Sequence, residues 1–179
     1  MTALGETVLR VRNGLHPRIG MKIVGVIGAS RASEELSAAA EEVGEELASR
    51  GAAIVCGGLT GIMESVCKGA QRKGGVTIGI IPSDSKDDAN PYVQIPIATG
   101  IGMARNAIII KTADVVIAVG GQYGTLSEIG YALNMGKTVV ALRSWRLERA
   151  LDEPIANLIH VDEPKEAVDI ALKAIAPQT

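Results

Sequence analysis

The sequence predicts a doubly wound parallel α/β sheet with helices on both faces, a three-layer α/β/α arrangement in a single domain. Three observations support this prediction. The apolar residues form short continuous runs instead of alternating ones, which is typical of parallel strands buried on both faces. Segments with helical spacing of apolar residues separate these runs. Glycines follow several of the runs, as expected at turns that lead into helices.

The first half of the chain shows this alternation clearly. Strands are predicted over residues 22–27, 52–56 and 76–81, with a shorter one near 93–97. The first helix is expected to begin after Ser33, a good N-cap, and to end near Arg50, with Gly51 at the C-terminal cap. A second helix is expected to end near Lys73. Such an order of elements favours parallel pairing of the strands.

The second half continues the same pattern. Helices are predicted over residues 102–112, 125–135 and 163–175, and strands over 114–119, 138–142 and 158–161. A charged helical turn is expected around Arg146–Leu151. Residues 1–20 differ in composition, so we expect either a flexible N-terminal extension or a true start at Met21. Residues 21–179 are then expected to form one Rossmann-like nucleotide-binding domain.

Composition narrows the classes of function. The formal net charge is −2 and aromatic residues make up 2% of the chain, which disfavours binding of nucleic acid. No apolar run approaches the length of about 18–20 residues that a membrane span needs. Two cysteines and two histidines without metal-ligand spacing predict no metal site. We therefore expect a cytoplasmic protein with reduced, structural cysteines.

Glycine-rich loops mark the candidate binding site. Parallel sheets bind ligands beyond the carboxyl ends of their strands, where helix N-termini offer unpaired N–H groups and a positive dipole to a phosphate. The candidate phosphate-binding residues are Gly28, Ser30, Gly57, Gly58, Thr60, Gly61, Gly120, Gly121, Gln122, Tyr123, Gly124 and Thr125. The alternative for each glycine is a purely structural role in a tight turn.

Two familiar nucleotide motifs are nearly present and are rejected. Gly25 and Gly28 form GxxG instead of GxGxxG, and Cys56 ends the second strand where an NAD-binding protein would place an acidic residue near the ribose. Gly136 and Lys137 resemble the end of a P-loop, but they lie between a helix and a strand in the wrong order. No cofactor is therefore expected.

The motifs GGLTGIMESVCKGAQRKGG, VTIGIIP, GMARNA and ADVVIAVGGQYGTLSE resemble the Lonely Guy family, whose members cleave nucleoside 5′-monophosphates to a base and ribose 5-phosphate. The family signature PGGxGTxxE maps onto residues 120–128. The resemblance implies catalytic roles for Arg105 and Glu128, and a homodimer or higher homo-oligomer formed through helices 103–112 and 126–135. Lysine decarboxylation, a label once given to this family, is rejected because no lysine has a context suited to pyridoxal phosphate.

Four positions depart from the family pattern. Gly120 replaces the proline and Gln122 replaces a glycine, while Asn106 and Ala104 stand where a lysine and a histidine are usual. The sequence thus resembles a branch that is also similar to molybdenum cofactor carrier proteins. The alternative function is a non-catalytic carrier or sensor of a phosphate-bearing small molecule such as molybdenum cofactor. A DNA-processing protein belongs to the same superfamily, but the net negative charge of this chain disfavours DNA binding.

Both catalytic candidates have structural alternatives. Thr125 and Glu128 satisfy the spacing of a capping box, in which the glutamate returns to the N-cap amide and needs no substrate. Arg105 is expected to project from a face other than the apolar one formed by Met103, Ala107 and Ile110, where it can bind a phosphate or remain solvated. A carboxylate beside a ribosyl centre is, in contrast, the usual arrangement for glycosidic cleavage.

Overall fold

The computed structural model describes residues 20–148 and 154–175. Seven strands and five α-helices follow one another along the chain. The strands are β1 (Ile23–Gly28), β2 (Ala53–Cys56), β3 (Thr77–Ile81), β4 (Ile95–Ala98), β5 (Val115–Val119), β6 (Val139–Leu142) and β7 (Leu158–Val161). The helices are α1 (Glu34–Ser49), α2 (Ile62–Arg72), α3 (Asn106–Thr112), α4 (Tyr123–Asn134) and α5 (Pro164–Ala174). The expected extension over residues 1–20 lies outside the described residues, except for Gly20.

All seven strands pair in parallel in the order β4-β3-β2-β1-β5-β6-β7. The chain winds outward from β1 to β4, returns to the other side of β1, and winds outward again. The order therefore reverses between β1 and β5, where Gly28 pairs with Val119. The predicted fold class, a doubly wound parallel sheet, is confirmed. Such a reversal leaves a crevice at the carboxyl ends of the two strands.

Alternate residues of each strand supply two apolar layers. In β5, Val115, Ile117 and Val119 face the layer covered by α1, α2 and α5. Val116 and Ala118 face the layer covered by α3 and α4. All five residues are at most 1% exposed, which explains why the strand is continuously apolar instead of alternating.

The first helix begins and ends as predicted. The Ser33 hydroxyl accepts a hydrogen bond from the Leu36 amide at 3.2 Å, and two glutamates occupy the first turn, where the helix dipole favours negative charge. Gly51 follows the helix with a φ of 72°, a conformation that costs glycine little. Cys56 and Cys67 are fully buried and form no disulfide, and their sulfur atoms lie within hydrogen-bond distance at 3.6 Å.

The predicted capping box is wrong. Helix α4 begins at Tyr123, two residues before the predicted start, so its N-cap is Gln122. Thr125 therefore lies within the first turn, where it is 2% exposed. Glu128 lies one turn further along, too deep in the helix to return to the N-cap amide. Glu128 therefore does not cap the N-terminus of α4.

The prediction that Met103, Ala107 and Ile110 form the buried face of the 102–112 helix is also wrong. Its first turn, Gly102–Arg105, is a 3₁₀ helix, and the α-helix begins only at Asn106. Since a 3₁₀ turn has about three residues instead of 3.6, the phase of the buried face changes. Ile109 and Ile110 are buried together with Arg105, whereas Met103 is 67% exposed.

Two further segments differ from expectation. Strand β4 begins at Ile95, two residues after its predicted start. Residues 146–148 form no helical turn, and the rest of the turn expected over Arg146–Leu151 lies outside the described residues. No helix among residues 20–148 and 154–175 is long and apolar enough to cross a membrane. The same residues contain no group of three metal-ligating side chains.

Candidate functional site

A cavity of about 290 Å³, here named the first cavity, opens beside the crevice between β1 and β5. It is lined by Ile27, Gly28, Ala29, Ser30, Gly57, Leu59, Met63, Met103, Arg105, Asn106, Gln122, Gly124, Thr125 and Glu128. The lining comes from the loops after β1 and β2, from the start of α2, from the 3₁₀ turn and the first residue of α3, and from the first turns of α4. These segments are far apart in sequence. They meet because the parallel sheet brings the carboxyl ends of its strands, and the N-termini of the helices that follow them, to the same edge.

Eight predicted site residues meet in this cavity. They are Gly28, Ser30, Gly57, Arg105, Gln122, Gly124, Thr125 and Glu128. The convergence supports the expectation that the glycine loops after β1, β2 and β5 contribute to one site. The catalytic pair Arg105 and Glu128 lies in the same cavity as the first turn of α4. The roles of these residues in binding stay predictions.

The other six predicted residues do not line the first cavity. Gly58 and Gly61 have positive φ angles and pack closely: an added Cβ would come within 2.4 Å of Ile81 Cδ1 and of the Ala29 carbonyl oxygen, respectively. The Thr60 hydroxyl donates to the Ser30 carbonyl at 3.0 Å. These contacts are structural and hold neighbouring loops together.

The remaining three lie on the other side of the α4 N-terminus. Gly120 and Gly121 line a separate cavity, here named the second cavity, with Leu36, Arg143, Ser144 and Trp145. Tyr123 is 81% exposed, and its ring centroid lies 5.8 Å from that of Trp145. The glycine-rich motif over residues 120–125 therefore serves two cavities, which its sequence does not reveal.

Arg105 is the one cationic side chain among the described residues that line the first cavity, and it is buried. It is only 6% exposed, so the alternative of a solvated surface arginine is wrong. One terminal nitrogen donates to the Asn106 side-chain oxygen, and the other donates to the Gly57 carbonyl at 3.4 Å. Its Nε has no hydrogen-bond partner in the part of the chain that the structure describes. A buried donor without a partner is costly, and a ligand can supply the missing acceptor.

Gly57 explains how this guanidinium fits. A Cβ at position 57 would lie 2.5 Å from Arg105 Nη2 and 2.6 Å from the Met63 sulfur atom. Both contacts are too short for any side chain to be tolerated without movement of the arginine. Gly57 therefore has a structural role, because it leaves the space that the Arg105 guanidinium occupies. This role does not depend on whether Gly57 also contacts a ligand.

Glu128 faces the same cavity and is 7% exposed. Burial raises the pKa of its carboxyl group to about 7, and the positive charge of Arg105 opposes that shift. Burial likewise lowers the pKa of the Arg105 guanidinium, against the attraction of Glu128. Among the described residues, no ion pair within 4.0 Å joins the two. Both groups therefore remain available to a molecule placed in the cavity.

Sequence reasoning missed several lining residues. Ile27, Leu59, Met63 and Met103 supply the apolar part of the wall, and Asn106 supplies a polar group. The apolar residues carried no signal, because they look like ordinary core positions. In the sequence, Asn106 is only a departure from the family lysine, and its contact with Arg105 is visible only in the structure.

The buried carboxyl group predicts a measurable dependence of stability on pH. Its pKa rises from 4.5 to about 7 on folding, so the unfolded chain loses this proton first as the pH increases. Folding is therefore penalised progressively from about pH 4.5 to 7, by up to about 3 kcal/mol at 1.36 kcal/mol per pKa unit. We expect Glu128→Gln to remove the penalty. The variant should gain free energy of unfolding relative to the wild type between pH 4.5 and 8.

Urea denaturation of both proteins at a series of pH values measures this gain. Glu42→Gln, which removes one carboxylate from the exposed surface of α1, controls for the loss of one negative charge. An equal gain in that control, or no gain for Glu128→Gln, would contradict the assignment of the penalty to the first cavity.

Comparison with known proteins supports the resemblance. An uncharacterized protein of Archaeoglobus fulgidus is 48% identical over 120 residues, 67% of this chain and 79% of that protein. A probable cytokinin riboside 5′-monophosphate phosphoribohydrolase of Oryza sativa subsp. japonica is 34% identical over 94 residues, 51% of this chain. The match spans 41% of the rice protein, so this chain covers less than half of its length.

Solved structures show the same fold. The molybdenum cofactor binding protein from Rippkaea orientalis superposes with a TM-score of 0.80 at 31% identity, covering 88% of this chain and 99% of that one. The molybdenum cofactor carrier protein from Chlamydomonas reinhardtii gives 0.76 at 30% identity, covering 86% and 98%. The profile of the SLOG cluster4 family matches residues 21–168, and the chain belongs to this family, as the resemblance to Lonely Guy proteins led us to expect.

Proposed function

We propose that this protein binds a phosphate-bearing nucleotide in the first cavity and hydrolyses the N-glycosidic bond of a nucleoside 5′-monophosphate. One observation carries the proposal. Arg105 and Glu128, two oppositely charged side chains more than nine-tenths buried, line one cavity without forming an ion pair with each other. Buried charges are normally paired, so an unpaired set indicates a site whose partner is a ligand.

The phosphate is proposed to bind at the first turn of α4. Gly124 and Thr125 line the cavity there, and the first N–H groups of the helix have no partner within it. The helix dipole adds a partial positive charge at the same end. Arg105 lines the same cavity and its Nε has no hydrogen-bond partner among the described residues, so the guanidinium has a donor left for a phosphate or ribose oxygen. The ribose is thereby placed beside Glu128.

Glu128 is proposed to act on the water and on the ribosyl centre. The oxygen of a water molecule bonds to C1′ of the ribose while the C1′–N bond breaks, and the bonding electrons leave with the base. One proton of the water passes to the Glu128 carboxylate, and the departing base takes up one proton from solvent. Glu128 then returns its proton to solvent, so that one water is consumed and the ionised carboxylate is restored. The ionised carboxylate also stabilises positive charge on the ribose as the bond breaks. The products are the free base and ribose 5-phosphate.

Chromatographic detection of free base tests this function. The protein is incubated separately with AMP, GMP, IMP, CMP and UMP, and the free base released from each is quantified over time. Release from at least one of them at a rate well above the protein-free control supports the enzyme. Saturable binding of the same nucleotides without any release would instead favour the second candidate.

The second candidate function is a non-catalytic carrier of a phosphate-bearing small molecule such as molybdenum cofactor. The observation in its favour is Asn106, which stands where the related hydrolases carry a lysine and whose side chain binds Arg105. The first cavity therefore has one cation fewer than the family pattern implies. Two solved structures with the same fold are of proteins described as binding or carrying molybdenum cofactor. A carrier needs the phosphate cradle but no attacking water.

A second copy of the chain is proposed to cover the α3–α4 side of the sheet. Ile101, Met103 and Ile108 are 50%, 67% and 37% exposed. Ile97 of the edge strand β4 points to the same side, because it pairs with Ile80 of the layer under α3. Several large apolar side chains exposed on one side of a protein are typical of an interface between subunits. A homodimer would remove these side chains from water.

We expect the double variant Met103→Lys, Ile108→Lys to shift the protein toward a single 18.6 kDa chain. Two buried lysines would be unpaired at such an interface, which is costly. Sedimentation equilibrium measures the change in mass. Gln71→Lys, on the exposed surface of α2 at the opposite face of the sheet, is the control and should keep the wild-type mass. A wild-type protein that sediments as one chain would contradict the proposal.

A further inference from the structure

The two cysteines of the chain form a buried pair beside the first cavity. Cys56 ends β2 and Cys67 lies in α2, and the packing of this helix against the sheet brings their sulfur atoms to 3.6 Å from each other. No step of the proposed hydrolysis uses either thiol. Two thiols in contact can be joined by oxidation, which a single core cysteine cannot. The pair therefore has a chemistry that its packing role does not require.

The hydrogen bonds of the pair make the two thiols unequal. Cys67 donates toward the Cys56 sulfur atom, because Cys56 donates onward to the Met63 carbonyl. The bond from Cys67 lowers the pKa of the Cys56 thiol, and the charge of Arg105 acts in the same direction, while burial opposes them. The hydrogen bond to Cys56 and burial raise the pKa of Cys67. Since the thiolate is the nucleophile, Cys56 is the thiol that reacts first.

We propose that Cys56 and Cys67 form an oxidation site, where hydrogen peroxide joins the two thiols in an intramolecular disulfide and thereby alters the wall of the first cavity. The structure shows the pair in its reduced state. The inference goes beyond the proposed function and holds for a hydrolase and for a carrier alike.

The first cavity gives the oxidant a route to Cys56. Both thiols are fully buried, so no oxidant reaches them directly from the outer surface. Gly57 follows Cys56 in the chain and Met63 accepts its hydrogen bond, and both of these residues line the cavity. Hydrogen peroxide is little larger than water, and the methionine side chain is the flexible part of this wall. Movement of the Met63 side chain therefore admits the oxidant.

The oxidation proceeds in two steps. The Cys56 thiolate attacks one oxygen of hydrogen peroxide, so that an S–O bond forms, the O–O bond breaks, and the departing hydroxide takes up a proton to give water. The Cys67 sulfur atom then attacks the Cys56 sulfur atom. The S–S bond forms, the S–O bond breaks, and the hydroxide that leaves takes the Cys67 proton. In total, two thiols lose two electrons and two protons, and one peroxide becomes two waters.

The disulfide changes the surroundings of Arg105. A disulfide bond measures about 2.05 Å, so the two sulfur atoms must approach each other by roughly 1.5 Å. The Cys56 thiol also loses the hydrogen that it donates to the Met63 carbonyl. The Met63 sulfur atom and the Arg105 guanidinium both pack at Gly57. Displacement of Met63 therefore disturbs the site at which Arg105 meets a ligand.

Peptide mass spectrometry tests the oxidation site in the full-length protein. Trypsin cleaves after Arg50 and Lys68, so one peptide, residues 51–68, contains both cysteines. The reduced protein is treated with hydrogen peroxide, unfolded, labelled with N-ethylmaleimide and digested. We expect this peptide to be about 2 Da lighter than its reduced form and to take up no maleimide. The untreated protein should be labelled at both cysteines, and dithiothreitol should restore this labelling.

Single serine variants test the order of the two steps. In Cys67→Ser, Cys56 remains alone, and peroxide should convert it to a sulfenic acid that dimedone traps. In Cys56→Ser, the remaining Cys67 should keep its maleimide labelling over the same time. Labelling of both cysteines in the treated wild type, or disulfides that join separate chains, would overturn the oxidation site whether or not the variants fold.

The effect on the first cavity is measured separately. Calorimetric titration with AMP should show about tenfold weaker binding after oxidation, as expected when one charged hydrogen bond is lost, and dithiothreitol should reverse the change. The double variant Cys56→Ser, Cys67→Ser should keep its affinity after the same treatment, which controls for oxidation of methionines. Unchanged affinity of the disulfide form would overturn the effect on the cavity wall. Failure of the reduced protein to bind AMP would contradict the proposed function, and the peptide masses would still decide the oxidation site.

Discussion

Replacement of Glu128 by glutamine is expected to abolish base release while leaving nucleotide binding nearly unchanged. Glutamine matches the size of glutamate but can neither accept a proton from water nor stabilise positive charge on the ribose. General base catalysis contributes about 10²- to 10⁴-fold to such reactions, so the rate should fall by that factor. Base release and calorimetric binding of the same nucleotide, measured on one preparation, give the two numbers.

The pH dependence of the wild type provides an independent test of the same role. The pKa of Glu128 is raised to about 7, so the ionised form that can act as a base appears as the pH increases through neutrality. Base release should therefore rise between pH 6 and 8 with a midpoint near 7. Glu42→Gln should keep the wild-type rate and profile, because it lies on α1 at the opposite face of the sheet. A Glu128→Gln variant with full activity would refute the catalytic role.

The carrier alternative predicts a different result for the same variant. A carrier releases no base before or after the substitution, and its affinity for ligand should change only modestly. The stability gain expected for Glu128→Gln at pH 8 is common to both functions, because it depends on the surroundings of the carboxyl group in the folded protein and not on a ligand. That gain therefore verifies that the variant is folded, and the catalytic readout decides between the functions.

Gly69→Ala is expected to be among the most destabilising single substitutions in the chain. Helices α1 and α2 touch through their backbones: an added Cβ at Gly69 would lie 1.9 Å from the Glu41 carbonyl oxygen. The contacting atom belongs to a helix backbone and cannot move aside alone. The helices must separate, which opens the layer of core residues between them, at an expected cost of about 3 kcal/mol.

Chemical denaturation of the purified variant measures this loss. Gly130→Ala is the matched control, because Gly130 is an exposed glycine within α4 and an added Cβ there meets nothing within 4 Å. That control should gain about 0.5–1 kcal/mol from the better helix propensity of alanine. Equal stability of Gly69→Ala and the wild type would contradict the close crossing of α1 and α2.

Local patterns predicted most of the elements because their causes are local. The continuous apolar runs located the strands to within about two residues, and Ser33 and Gly51 marked the ends of α1. Helix α4 begins two residues before its predicted start, because its N-cap is Gln122, a residue with weak capping preference, and not the better capping residue Thr125. Propensity favours the better capping residue, but the turn geometry after β5 decides where the helix begins.

The composition of the site was predicted better than its arrangement. Arg105 and Glu128 were identified through the family resemblance, and the structure places both in one cavity. The division of residues 120–125 between two cavities was not foreseen. Neighbouring residues of a glycine loop can face opposite sides, and no periodicity in the sequence records which side each one faces.

The sequence by itself determined the fold class, the loops at the carboxyl edge of the sheet and the residue types available to a ligand, because these follow from local spacing and glycine positions. Only the tertiary structure decided that Arg105 is buried, that its Nε is left without a partner, and that Glu128 titrates near neutrality. These properties arise when β1 and β5, about 90 residues apart in the chain, pair side by side. Desolvation depends on what surrounds a group in space, which the order of residues along a chain does not specify.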